Sequence, residues 1–290
     1  MSVEMANCLR WAPMMLLCFL LSGCAVRYVQ PPPEFEYEEP PVTQPTRRPQ
    51  AIQPPPKKPP ARLGWSMRAI SEKEISRLNE KDPEMTPSVA YEILARLNVR
   101  ARYYMADDIK SGRVMRVPYD FRAYKNWTPL PRQLPQYRDT HKLILVAKDI
   151  PFLGWYEYGR LVGDTPTCIG KQGGWTRAGV YNVLEKDANH FSRSYLNTYG
   201  QPTPMPLALR IYGRVWIHVG DVVGGYCSHG CINVPLRAGD RLFRWTPTGT
   251  PVWVVESLAE VEEHERRAEP ERQERRNGRK SRTLAPPVDH

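Results

Sequence analysis

Residues 226–235 read YCSHGCINVP, and the placing of Cys227, His229 and Cys231 around Gly230 admits three chemistries. One is a metal site, because His218, Cys227, His229 and Cys231 are all zinc-type ligands. Structural zinc sites bring cysteines as closely spaced pairs with a matching knuckle elsewhere, and this spacing fits them poorly. His229 and Cys231 would face one side only on a strand. A second possibility is a Cys227–Cys231 disulfide, which would close a very short loop. The third is a nucleophile. A cysteine then needs a base to take its proton and backbone donors for the oxyanion that forms on the attacked carbonyl. Gly230 permits a tight turn that exposes the next sulfur and crowds N–H groups together. His218 ends an apolar run and is followed by Val219 and Gly220, so it suits a base held on a rigid strand end. His229 is a rival base, but near-adjacent side chains on a turn seldom aim at each other. His141, His190, His264 and His290 read as structural histidines.

The elements that must position these residues are short and β-rich. Apolar runs at 142–148, 152–158, 179–187, 207–213, 214–220 and 250–257, broken by Gly and Pro, predict a mainly β domain over 141–257, sandwich or barrel-like. Residues 63–140 read as a small helical and irregular region. Ser71 through Glu74 fits a capping box, and Thr86-Pro87 fits an N-cap with proline at the first helical position. Val89, Ile93, Leu94 and Leu97 then form a core-facing stripe. Residues 258–290 are densely charged with both signs. They predict a disordered tail, or a short helix supported by pairs such as Glu262/Arg266 and Glu263/Arg267.

The amino terminus carries address information. Residues 11–21 form an apolar run of signal-peptide length, preceded by Arg10 and ending in Leu21-Ser22-Gly23-Cys24. That ending resembles a bacterial lipobox, which implies a signal peptide over 1–23 and a lipid on Cys24. By the same analogy Ala25 favours the outer membrane, with the domain on its periplasmic side. Residues 24–62 are proline-rich and predict a polyproline spacer, about 100 Å long if extended. With Cys8 and Cys18 in the signal and Cys24 lipidated, Cys168, Cys227 and Cys231 remain. Three is an odd number for an oxidising compartment. Cys231 is expected to be free, while Cys168 and Cys227 either pair with each other or stay separate and buried.

The 290-residue chain has a net charge of +10 and 30 prolines. A basic balance suits nucleic acid, an anionic membrane or an anionic wall polymer. No dense Lys/Arg run with interleaved aromatics is present, so nucleic acid is not expected as a partner.

The motif SHGCINVP, preceded by IHVGD, resembles the signature of the L,D-transpeptidases, the YkuD-like catalytic domain. The family's histidine, then Ser/Thr-His-Gly-Cys, a hydrophobic residue and Arg or Asn fall on His218, Ser228, His229, Gly230, Cys231, Ile232 and Asn233. The stretches TPTCIGKQGGWTRAGVYNVLEKD and GTPVWVV extend the resemblance over about 141–256. It implies acyl transfer on peptidoglycan stem peptides through a thioester on Cys231, with His218 moving the proton. It also implies oxyanion donors at the Gly230 and Cys231 N–H groups. Ser228 and His229 are expected to support the loop, and Asn233 and Gly220 to meet substrate. No metal or organic cofactor is implied. The acceptor could be another stem, an outer-membrane protein or water, the last giving a carboxypeptidase or amidase. A wall-binding lipoprotein without turnover is the alternative of another class. Asn233 stands where many members carry arginine, and the His218–Ser228 interval is short, which implies a trimmed loop.

Overall fold

The computed structural model describes residues 62–172 and 175–283, with side chains to 270. The expected signal segment, Cys24 and nearly all of the proline-rich spacer lie outside the described residues.

Local signals shape the first region. Strand β1 (Trp65–Arg68) leads to helices α1 (Glu72–Lys81), α2 (Pro87–Leu97) and α3 (Met105–Lys110), and strand β2 (Met115–Pro118) returns to pair antiparallel with β1. Ser71 Oγ accepts the Glu74 N–H at 3.3 Å and Thr86 Oγ1 accepts the Val89 N–H at 3.3 Å, as the caps require. Ile93, Leu94 and Leu97 of the α2 stripe are buried with Ile75, Met105 and Val117 in a core belonging to this region. The β1/β2 pair was not foreseen in a stretch read as helical and irregular.

The β domain begins with β3 (Lys142–Ala147), β4 (Phe152–Glu157), β5 (Arg160–Pro166), β6 (Ile169–Gly170), β7 (Gly179–Asn182) and β8 (Glu185–Asp187). There follow β9 (Phe191–Leu196), β10 (Pro202–Pro204), β11 (Ala208–Tyr212), β12 (Val215–Val219), β13 (Tyr226–Ser228) and β14 (Ile232–Val234). Helix α4 (Leu236–Trp245), strand β15 (Pro251–Val255) and helix α5 (Leu258–Thr283) complete the described elements. Five strands in the order β5-β4-β3-β15-β7 form one sheet, and β14-β12-β11-β8 form a second. Their facing sides share a core of Ile144, Val146, Val252 and Val254 with Leu209, Ile217, Ile232 and Val234. The alternate residues Leu143, Leu145, Trp253 and Val255 enter another core on the opposite face of the larger sheet. Both faces of β3 and β15 are therefore buried, which is why those strands read as continuous apolar runs. The mainly β expectation holds.

Of the two readings of the tail, disorder or a helix, residues 258–283 show the helix. Its first turns are held by packing, since Leu258 and Val261 join the core under the larger sheet and His264 stacks on Tyr137. A Glu263–Arg267 ion pair adds the expected i,i+4 contact. Among the described residues no helix is long and apolar enough to cross a membrane.

Candidate active site

Parallel pairing of β12 with β14 brings the two halves of the motif together. Its register sets His218 opposite Asn233 and Ile217 opposite Ile232, so Cys231 falls immediately before the strand beside the histidine's own. Side chains two apart on a strand share a face, and residues 218, 233 and 231 accordingly lie on one side of this ladder.

His218 is buried at 7% exposure. Its Nδ1 lies 2.8 Å from the Val219 carbonyl oxygen. A carbonyl can only accept, so Nδ1 carries the proton and Nε2 is left with a free lone pair. Burial pushes the His218 pKa down to about 4; the Val219 hydrogen bond opposes the shift and nearby His190 reinforces it. The ring is neutral at neutral pH, a base ready to accept a proton.

Cys231 is the free cysteine among the described residues. Its sulfur lies against an apolar pad of Met205, Ala208 and Trp216, and the thiol points at the Arg214 carbonyl at 3.8 Å. Burial raises the thiol pKa above its ordinary value, against a weaker opposing hydrogen bond from the Trp216 backbone. The resting pair is thus thiol and imidazole, not thiolate and imidazolium, and proton transfer must accompany attack.

The loop between Ser228 and Cys231 is held by its own polar groups. Ser228 Oγ donates to the Cys231 carbonyl at 2.6 Å and accepts the Gly230 N–H at 3.0 Å. The Gly230 N–H, expected to meet an oxyanion, is thus taken up inside the loop. Gly230 has φ of 125°, and a Cβ there would lie 3.0 Å from the Trp175 carbonyl oxygen. A side chain would be strained as well as crowded. Gly220 is small for another reason, since a Cβ would approach Asn233 Nδ2 to 3.0 Å and His218 Cε1 to 3.2 Å. Asn233 donates from Nδ2 to the Asp221 carbonyl at 3.1 Å, and its backbone bridges to Cys168 in both directions. His229 is exposed and stacks on Tyr195 with ring centres 4.4 Å apart.

Cys168 and Cys227 are paired in a disulfide spanning 59 residues of chain, which decides between the two alternatives left open. The pairing removes Cys227 from any metal site. Among the described residues no three His, Cys, Asp or Glu side chains form a cluster suited to a metal ion.

Several contributors escaped the sequence reading. Thr176, 1% exposed, accepts the Gly170 N–H at 2.9 Å and donates to the Gly230 carbonyl at 2.8 Å, clamping the Ser228–Cys231 loop to β6. His190, expected to be structural, stacks on Trp216 at 3.9 Å and holds Asp187 at 3.1 Å, so it forms the wall behind the site. The helical region grips the short interval after His218. The Ala101 N–H bonds the Val222 carbonyl at 2.8 Å, the Gly224 N–H bonds the Val99 carbonyl at 2.9 Å, and the Tyr103 hydroxyl donates to Asp221 at 2.5 Å. A lone threonine or tyrosine carries no motif; only the clustering of small and polar residues at 165–176 hinted at a built loop.

Residues 141–254 match the family model of YkuD, the L,D-transpeptidase catalytic domain. Among solved structures, the chain is similar to an L,D-transpeptidase from Stackebrandtia nassauensis, with 20% identity and a TM-score of 0.36, covering 41% of this chain and 57% of that one. A mutant L,D-transpeptidase from Enterococcus faecium gives 28% identity and a TM-score of 0.35, covering 40% and 50%. An L,D-transpeptidase from Mycobacterium tuberculosis gives 20% and 0.36, covering 40% and 58%. The match thus spans less than two thirds of the length of these chains. No curated protein matches this chain.

Proposed function

We propose that this protein, whose residues 141–254 match the family model of the YkuD L,D-transpeptidase catalytic domain, is a cysteine-dependent acyltransferase acting on peptidoglycan stem peptides. The observation that carries the proposal is the pairing of β12 with β14. It puts the free Cys231 immediately before the strand paired with that of His218, a neutral imidazole whose Nδ1 proton is tied to Val219.

In the proposed reaction, Cys231 Sγ attacks the carbonyl of the diamino acid at the third stem position while its proton passes to His218 Nε2. The tetrahedral oxyanion is met by the Cys231 N–H. Collapse breaks the amide bond, the terminal D-alanine leaves as an amine carrying the proton from His218, and a thioester remains on Cys231. An acceptor amine then attacks the thioester, returns a proton through His218, and releases the thiol. Ser228 and Thr176 act as positioning residues for the loop, and Asn233 and Gly220 line the approach to the stem.

The lipobox resemblance at Cys24 and the proline-rich spacer support a lipid-anchored enzyme on the periplasmic face of the outer membrane, with the net charge of +10 turned toward an anionic wall. The acceptor is proposed to be a second stem or an amine on an outer-membrane protein.

The test is the intact mass of the protein after incubation with a carbapenem, beside Cys231→Ala. One covalent adduct on the wild type and none on the variant is expected. Absence of an adduct on folded wild-type protein would turn the reading toward a non-catalytic wall-binding lipoprotein. Stem peptides then separate transfer from hydrolysis, since water as sole acceptor would make the protein a carboxypeptidase or amidase.

A further inference from the structure

The helical region and the β domain enclose a cleft of about 650 Å³ whose charged lining includes Arg96, Arg100, Arg113, Arg116, Asp108 and Asp149. Its positive charges are unevenly satisfied. Arg96 is held by Asp164 at 2.6 Å and Arg100 by Asp108, both largely buried. Asp149, exposed, accepts the Leu258 N–H on one oxygen at 3.2 Å. Among the described residues Arg113 reaches a carboxylate only at the already engaged Asp108, at 3.6 Å, with its own side chain 53% exposed. Among the described residues Arg116 has no carboxylate partner; one N–H approaches the Leu97 carbonyl at 3.4 Å, and its guanidinium stacks on Trp65 at 4.8 Å. Two exposed guanidiniums at the cleft therefore keep most of their forked donors free, and that fork matches a carboxylate.

Beside them the surface is apolar. Trp65, Met67 and Val114 line the same cleft and are 40%, 58% and 59% exposed. Exposed apolar side chains next to free cations mark a binding surface. A saccharide needs an open aromatic face with free polar partners beside it, and the rings of this cleft are largely engaged. Arg116 stacks on Trp65, Trp127 is packed by Tyr124 at 5.5 Å and Phe152 at 6.2 Å, and the half-exposed Tyr226 has its hydroxyl on the Lys148 carbonyl at 2.7 Å. What remains is carboxylate recognition with an apolar contact, the chemistry of an acidic peptide.

The cleft adjoins the active-site loop. Gly224 and Tyr226 line it, and the Arg100↔Val223 bridge ties its wall to the interval after His218. Tyr226 precedes Cys231 by five residues, at most about 17 Å of extended chain. We propose that this cleft is a second binding site for an acidic peptide, with its carboxylates on Arg113 and Arg116 and its apolar part on Trp65 and Met67. The identification of that peptide as a free stem peptide rests on the peptidoglycan reading above.

The test follows indole N–H resonances of the ¹⁵N-labelled whole chain, assigned by single Trp→Phe variants, during titration with a stem tetrapeptide bearing free carboxylates. Trp65 reports on the cleft, Trp175 and Trp216 on the active site. A saturable shift of Trp65 is expected. It should need at least about ten-fold more peptide in the Arg113→Gln/Arg116→Gln double variant, and for the same peptide with its carboxylates amidated. Both arginines are exposed, and the rest of the spectrum verifies folding. The proposal is overturned if Trp65 does not move, or if the double variant or the amidated peptide titrates like the original. Glycan strands stripped of peptide that shift Trp65 at lower concentration would also overturn it, in favour of a saccharide site. A moving Trp65 with Trp175 and Trp216 unmoved, and no carbapenem adduct, would instead sink the catalytic reading and leave the cleft standing.

Discussion

The Ser228–Cys231 loop has two flanks of opposite construction. On one, the Cys168–Cys227 disulfide, the Cys168–Asn233 bridge and the Thr176 clamp fasten it to β6, with Cys168 and Thr176 fully buried. On the other, the β9/β10 hairpin presents Phe191, Tyr195, Leu196 and Tyr199 at 53%, 48%, 67% and 86% exposure and meets the loop through the Tyr195–His229 stack. In the proposed reaction a thiol must be aimed to within fractions of an ångström, whereas a polymer substrate would have to be admitted. The fixed flank suits the first need and the open flank the second.

The comparison breaks most severely at the base carried by the fixed frame. His218→Asn should slow acylation by about 10²–10⁴-fold with the fold intact, as read from the time course of the carbapenem adduct. An undiminished rate would remove His218 from the mechanism.

Removing the staple comes next. The Cys168→Ala/Cys227→Ala pair should lower unfolding free energy by about 2–4 kcal/mol in denaturant titrations, and a loss near zero would mean the loop is held by other contacts.

Acid acts on the same frame through His218. Its pKa is about 4 in the folded protein against 6.5 ordinarily, so the unfolded chain takes up the proton first. Stability from this group is complete above pH 6.5 and is lost progressively as pH falls toward 4, by about 3 kcal/mol. His218→Gln should flatten that part of the stability–pH curve; an unchanged slope would assign it to other groups.

Thr176→Val leaves the Gly170 N–H and the Gly230 carbonyl without their partner, and should cost about 1–3 kcal/mol together with slower acylation. Normal stability and rate would show the clamp to be dispensable.

The smallest effect belongs to the open flank. Tyr195→Ala should weaken stem-peptide binding a few-fold, consistent with a stacking contact of about 0.5–1.5 kcal/mol, and leave melting unchanged. A large drop in melting temperature would show the hairpin to be part of the frame after all.

Legibility in the sequence followed the range of the forces involved. The caps at Ser71 and Thr86, and β3 and β15 as apolar runs, arise within a few residues and could be read directly. Helix α4 was missed because Pro235 gives it no side-chain cap and its buried stripe is brief, with Ala238 and Leu242 four apart. The β1/β2 pair and the β9/β10 hairpin were missed as well, the first joining segments far apart in the chain and the second being largely exposed. The motif named Cys231 and His218, but nothing local named Thr176, His190 or Trp216, whose roles exist only where distant strands meet.

By itself the sequence determined the residue types able to do the chemistry and the strand-borne place of His218. Tertiary structure decided what those residues are at rest. Burial set the protonation of the imidazole and the thiol, Ser228 took the Gly230 N–H from the oxyanion role, and chain crossing chose Cys168 as the partner of Cys227. Desolvation and hydrogen-bond competition depend on which groups surround a site in space, and that neighbourhood is assembled only when the strands pair.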